Sequence, residues 1–364
     1  MRIISVLEAI LLGIFSALVP GFHPILLRLT SDVAAALVFG VYTSLSIVPS
    51  VYLGAFSAAT AYTYIVAHRL VSGGKGLYAV YLYVLGTVLG IILAFLYYPL
   101  SVLLSVRLPR AVLFFILVYV AVLSVLRSAR PIPAAILAVF YSMYGYLVLN
   151  YYPLDNALPA AISGLFGGST IFLALLSKEV YPLGDVCSVD IVSLLRGAVF
   201  GLLIAFAVSY FPAVSLSLAA FLVQPILSVR DEEMMVAAGS SASASLILTG
   251  TGRSYGLVRS SFAAALSSSP SFSTLLVASA AVLIGAALAI LLTPFLYRIY
   301  SNRFVKAAAF IAIVAGAGVF LGVPSVPLVL ASTFAGTLTH IFGVEKRVAM
   351  FFLLFPTLLY YAPM

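Results

Sequence analysis

Apolar residues run in long blocks near positions 3–19, 77–97, 111–126, 132–149, 191–210, 272–296, 304–322 and 348–361. Each block approaches the roughly 20 mainly apolar residues that a helix needs to cross a bilayer. Between them lie four segments, 20–66, 153–177, 212–268 and 323–343, that mix Pro, Gly, Ser and Thr with short apolar pieces. They read as too broken for plain spans. Irregular backbone survives at membrane depth only where protein buries it or where it lines a watery cavity. These four segments are therefore the candidate interior.

The pattern also repeats. A helix containing Gly13 leads to Pro20-Gly21, then a short apolar piece, then a Ser/Ala/Thr-rich piece ending at His68-Arg69. Later, a helix containing Gly201 leads to Phe211-Pro212-Ala213, and the Ser-rich piece GSSASASLILTGTGR ends at Arg253. PAAISGLFGGST closes one half and PLVLASTFAGT the other. Two related halves follow, 1–180 and 185–364, within a single integral membrane domain. Paired broken segments in corresponding places point to a secondary transporter. The expected fold is an all-α polytopic membrane protein of two inverted-topology repeats with broken or re-entrant helices and about 10–12 membrane segments.

Composition supports lipid as solvent. Hydrophobic residues make up 64% of the chain and charged residues 8%, against about 25% charged in a soluble domain. The first apolar run follows Arg2, is interrupted by Glu8 and lacks a small-x-small cleavage site, so it reads as a first membrane helix rather than a cleaved signal. With no Trp, interfacial anchoring falls to Tyr pairs such as Tyr97-Tyr98 and Tyr360-Tyr361. The net charge of +8 comes mostly from Lys and Arg at loop ends. There it sets topology and meets anionic headgroups, not nucleic acid. Cys187 is the only cysteine, so no internal disulfide forms.

The breaks supply the candidate site. Pro20, Gly21, His23 and Pro24 form either a re-entrant turn whose backbone N–H groups face a substrate or a kinked helix with a hydrogen-bonded His. In the first reading His23 is donor or proton carrier. Pro212 and Ser215 mark the matching break. Arg28 pairs with Asp32 one turn on, serves as a substrate counter-charge, or snorkels to the interface. Thr60 and the run Ser240, Ser241, Ser243 and Ser245 either let helices pack closely or coordinate a ligand or ion through oxygen. The same two readings apply to Ser163, Gly164, Gly167, Ser169 and Thr170. Arg253 closes the second Ser-rich piece. No HExxH pair, P-loop or CxxC is present, so no metal site, cofactor or catalytic residue is expected. A serine hydrolase pairing Ser163 or Ser240 with His340 is a minor alternative.

At these residues the sequence resembles the archaeal branch of the tripartite tricarboxylate transporter large permease family. The likeness runs through Gly13, Pro20-Gly21, His23-Pro24, Pro49-Ser50, Leu53-Gly54-Ala55, Thr60 and His68-Arg69, then Ser163 to Gly167, Arg253-Ser254 and the ending from Gly343 to Tyr360. It departs where acidic residues are replaced by Phe56-Ser57-Ala58-Ala59 and where a second Pro-Gly has become Pro212-Ala213. The resemblance implies a multi-pass cell-membrane permease that moves an organic anion such as a di- or tricarboxylate by alternating access. It also implies a coupling ion, Na+ or H+, and as partners membrane lipid, a small membrane subunit or an extracytoplasmic binding protein. A homodimer is compatible with such folds. Two other readings remain at this stage: a polyprenyl-phosphate translocase of similar re-entrant build, and a non-transporting membrane scaffold.

Overall fold

The computed structural model describes residues 5–19, 22–27, 29, 31–53, 64–105, 108–154, 157–176, 183–220, 229–300 and 302–363. Among these the chain is helical, with no strand. The helices are α1 (Val6–Leu18), α2 (Asp32–Leu45), α3 (Ile47–Leu53), α4 (Tyr64–Ser72), α5 (Gly76–Leu96), α6 (Arg110–Leu126) and α7 (Pro131–Tyr151). Then come α8 (Ala157–Ile162), a π-helical turn (Ser163–Gly168), α9 (Ser169–Leu176) and α10 (Ile191–Tyr210). The rest are α11 (Asp231–Arg253), α12 (Ser261–Ala265), α13 (Phe272–Tyr300), α14 (Arg303–Leu321), α15 (Ser325–Ile341) and α16 (Phe351–Tyr361). Eight helical stretches are long and apolar enough to span a membrane.

The apolar blocks become α1, α5, α6, α7, α10, α13, α14 and α16, with ends within a few residues of those expected. The broken segments are less broken than their composition implies. Asp32–Leu53, Ala157–Leu176 and Asp231–Arg253 are each long enough to span. Their hydroxyls do not interrupt the helix, because many donate to a carbonyl of the preceding turn: Thr43 to Phe39, Ser169 to Leu165, Thr251 to Ile247. These helices do form the interior. Asp231–Arg253 is 94% buried over its best span, whereas Arg303–Leu321 is 22% buried and turns its apolar surface outward.

Lipid removes the hydrophobic drive between helices, so contact depends on small residues that let backbones approach. The long pairs all meet this way. A Cβ added at Gly239 of α11 would lie 1.9 Å from the Tyr83 carbonyl of α5, and one at Gly86 of α5 would lie 2.0 Å from the Val236 carbonyl. Gly201 places α10 against the Ala237 carbonyl, Gly285 places α13 against the Val41 carbonyl of α2, and Gly145 places α7 against the Phe352 carbonyl of α16. Gly336 of α15 meets the Leu165 carbonyl of the π turn. The pairs α2–α13, α5–α11, α7–α16 and α8/α9–α15 each take one helix from either half.

The few acids hold helix ends. Glu8 closes a capping box with Ser5 at the start of α1, which accounts for an acid in the first apolar run. Asp231, Glu232 and Glu233 lie not in a loop but in the first turn of α11, where the helix dipole favours them. There Asp231 pairs with Arg69, and Glu233 pairs with Arg196 at 3.2 Å. Asp32 accepts hydrogen bonds from Ser267 N (2.7 Å), Ser267 Oγ and Ser268 Oγ, tying α2 to the loop before α13. Glu345, in the turn after α15, accepts from Ser128 Oγ and from Ala129 N (3.0 Å) and pairs with Arg347 at 3.3 Å.

Two outcomes follow. Gly239→Ala drives a Cβ into the α5 backbone and is expected to cost about 3 kcal/mol of stability. Gly252→Ala on the same helix meets nothing nearer than 3.6 Å and is expected to be neutral; thermal unfolding of both in detergent checks the contrast. For Glu345, burial raises the carboxyl, but the bonds from Ser128 and Ala129 and the Arg347 charge outweigh it, and it titrates below the ordinary range. Its contribution is therefore complete above the unfolded value of about 4.3 and is lost as pH falls through the lower folded value. Glu345→Gln should lower stability at pH 7 by about 1 kcal/mol and flatten the acid limb of the melting temperature against pH.

Candidate functional site

The chain leaves α1 and α10 by two breaks that meet at one cavity of about 780 Å3. Val19, His23 and Ile25 line it from the first half, and Pro212, Ala213, Val214 and Ser215 from the second. Between them, α2, α3, α11, the π turn and α16 complete the wall.

On the first side, the 3-10 turn Pro24–Leu27 follows His23 directly. The Ile25 N–H donates to His23 Nδ1 at 3.2 Å. An Nδ1 that accepts carries no proton, so the neutral ring keeps its proton on Nε2 as a donor. Tyr42 and Phe39 hold the ring edge-on, with centroids 5.2 and 5.9 Å away.

On the second side, the α10 C-cap Phe211 leads to Ala213, the sole described non-glycine residue at positive φ, at 56°. Here the sequence has alanine where the resemblance expects glycine, yet the chain keeps the left-handed conformation that glycine adopts freely. Ser215 then starts the next helical piece, its Oγ accepting from Leu218 N at 3.2 Å.

Among the described lining residues the cation is Arg259, six positions beyond the expected Arg253. The cause is a helix ending. Gly256 N donates to Arg253 O and Leu257 N to Gly252 O, with Gly256 at φ 76°. This is a Schellman turn, and it needs a residue that tolerates the left-handed region. It leaves Arg253 on the last turn of α11, off the cavity, and folds Val258 to Ser261 back onto the cavity wall. Ser260 caps α12, with Ala263 N donating to its Oγ at 3.1 Å, and meets Thr249 Oγ1 at 2.7 Å.

Arg259 has no hydrogen bond or ion pair among the described residues, and its Nε is buried. The Ser16 and Ser163 hydroxyls, on residues 1% and 3% exposed, are also buried without a partner. All three residues line the cavity, and no described lining residue is acidic. Buried polar groups almost always find partners, and a buried charge is costly unless paired. The wall is therefore complementary to an oxygen-rich anion: a guanidinium offers planar donors, and hydroxyls and His23 Nε2 add neutral ones.

Of the residues expected at the site, His23, Ser163, Gly167, Pro212 and Ser215 line the cavity. Pro24 is buried in its turn beside it. Gly164 sits against the Val329 carbonyl of α15, where a Cβ would come within 2.4 Å. Ser240 donates to Ala198 O of α10 and Ser243 to Thr87 O of α5, and Ser241 donates to Ala238 O within α11. Ser240 and Ser243 act in helix packing, and none of the three is among the residues that line the cavity. Ser169 and Thr170 face Lys346 instead. Pro20, Gly21, Arg28 and Thr60 lie outside the described residues. His340 ends α15 exposed and away from the cavity. Ser245, from the Ser-rich run, also lines the cavity. The sequence reading missed Arg259, Ser16, Tyr42 and Thr249; the one available signal was Arg259-Ser260-Ser261, a cation beside two hydroxyls within a broken segment.

Replacing Ala213 by Gly removes the left-handed penalty of about 1–2 kcal/mol at a smaller entropic cost, so Ala213→Gly should stabilise by about 0.5–1 kcal/mol. An unchanged or lowered melting temperature would count against strain at this turn. Compared with family models, curated proteins and solved structures, the chain has no match in any of the three.

Proposed function

We propose that this chain is a secondary-active permease that moves a small organic anion, a di- or tricarboxylate, across the membrane in which its helices lie, driven by an ion gradient. The observation that carries this reading is the Arg259 guanidinium, without a protein counter-charge, on the same cavity as the partnerless Ser16 and Ser163 hydroxyls. The volume of about 780 Å3 suits a small molecule, for which sites of roughly 300–1,000 Å3 are usual. Both chain breaks reach this cavity, as expected where halves rock about a central site. The arrangement also fits the resemblance to the tricarboxylate permeases carried by Gly13, His23-Pro24 and the 163–167 segment.

In this mechanism Arg259 holds a carboxylate by paired N–H bonds, and Ser163, Ser16 and His23 Nε2 take up its remaining oxygens. Neutralising Arg259 removes the cost of its isolated charge, so the loaded protein changes access more readily than the empty one.

The test is uptake into liposomes under an imposed proton or sodium gradient. Wild-type protein should accumulate a carboxylate from a broad panel. Arg259→Gln should lose about 2–5 kcal/mol of anion binding, roughly 30-fold or more in apparent affinity. Ser163→Ala should lose about 1 kcal/mol. Absence of gradient-driven uptake of every carboxylate would overturn the reading, and leaflet exchange of a labelled polyprenyl phosphate in the same vesicles would replace it with a lipid-phosphate translocase.

A further inference from the structure

Behind the cavity wall, a second cluster has no part in holding the anion. Lys346 opens the turn Lys346–Met350 after α15. Its ammonium donates to Phe166 O at 3.1 Å, to Ser169 Oγ at 2.7 Å and to Thr170 Oγ1. The three acceptors come from the junction of the π turn and α9. The Ser169 hydroxyl gives its own proton to Leu165 O, and the Thr170 hydroxyl gives its proton to Phe166 O. Both hydroxyls therefore turn lone pairs toward Lys346. An ammonium has three donors and no acceptor, and here each donor meets one oxygen.

The cup is built and buried. Phe166, Ser169 and Thr170 are 3%, 0% and 9% exposed. No described carboxylate enters it: neighbouring Glu345 turns to Ser128, Ala129 and Arg347. Carbonyl and hydroxyl oxygens without a carboxylate are the ligands of a weakly charged, hard cation rather than of a transition metal. Ammonium and potassium are similar in size, and the spacings from Nζ to Phe166 O and Ser169 Oγ, 3.1 and 2.7 Å, suit both better than they suit sodium.

We propose that the Phe166, Ser169 and Thr170 oxygens form a monovalent-cation site that the chain fills with its own Lys346 ammonium. The folded chain then needs no added alkali cation at this place, and truncating Lys346 turns the cup into a site for potassium or a small alkylammonium ion. The tethered charge also stays on the carbonyl of Phe166, a residue of the cavity wall, whatever the state of the cavity. The inference is independent of the permease reading, because its test reads stability rather than flux.

The full chain in detergent is melted in N-methylglucamine chloride, and sodium, potassium or methylammonium chloride is exchanged in at constant ionic strength. Wild-type melting should not depend on which cation is present. Lys346→Met keeps the aliphatic stem and should melt lower in N-methylglucamine, with potassium or methylammonium, more than sodium, restoring a saturable shift on the order of 2–4 °C. In Lys346→Met/Thr170→Val that recovery should vanish. A wild-type protein that requires an alkali cation, or a folded Lys346→Met with no cation-selective recovery, overturns the proposal. If Lys346→Met does not fold, native protein decides through brief acetylation read by mass spectrometry. Lys346 should react at least about tenfold more slowly than the exposed Lys75, as three charge-assisted bonds demand. Slow reaction must give way to fast in Thr170→Val; equal rates for Lys346 and Lys75 in the wild type, or no change in the variant, overturn it.

Discussion

Backbone contact at glycine is the constraint on which this structure rests. Lipid tails compete with side chains for apolar surface, so two helices gain little from apolar burial alone. They gain from dispersion at close range and from hydrogen bonds that lipid cannot offer. Gly86, Gly201 and Gly239 bring α5, α10 and α11 so near that a single methyl group would strike a carbonyl. At that distance a serine hydroxyl reaches across: Ser240 to Ala198 O, Ser243 to Thr87 O, and Ser44 of α2 to Val282 O of α13. The Ser-rich helix is thus central because it is polar and small, not in spite of it.

The same constraint shapes the cavity. Helices drawn together by glycine along their length leave space where the chain breaks, and the breaks after α1 and α10 open into the same space. Hydroxyls that face a neighbouring helix are consumed in packing. Of those on the cavity wall, Ser16 and Ser163 remain without partners among the described residues. One residue type serves two purposes according to which side of a helix it occupies. Among the described residues Glu8, Asp190, Asp231 and Glu233 stay at helix ends in caps and ion pairs, and no described acid joins Arg259 and His23 on the cavity wall.

Much of the fold was legible because hydropathy is a local property. The eight apolar blocks became helices at nearly the expected positions, and the broken segments did form the interior. Their helicity was not legible, since a run such as GSSASASLILTGTGR has the composition of a loop and gains its helix from the partners it packs against. The site was half legible. His23, Ser163, Gly167, Pro212 and Ser215 stood out as chemistry within breaks. Arg259 did not, because a Schellman turn at Gly256 decides which of two arginines faces inward, and sequence spacing cannot show that reversal. Lys346 was hidden by distance along the chain, 176 positions from Thr170. The readings of Ser169 and Thr170 as oxygen ligands for an ion identified their chemistry, but the ion is part of the protein.

The division of each close pair between the two halves bears on how the molecule is made. Helices α2, α5 and α7, and the helix through the π turn, leave the ribosome before α10 begins. Each enters the bilayer with its glycine face bare, waiting for α13, α11, α16 or α15. During that interval lipid, or an insertion factor, must cover grooves shaped for a backbone. The order of synthesis and the order of assembly are therefore separate events, and α16 closes against α7 only after α8 to α15 have been made.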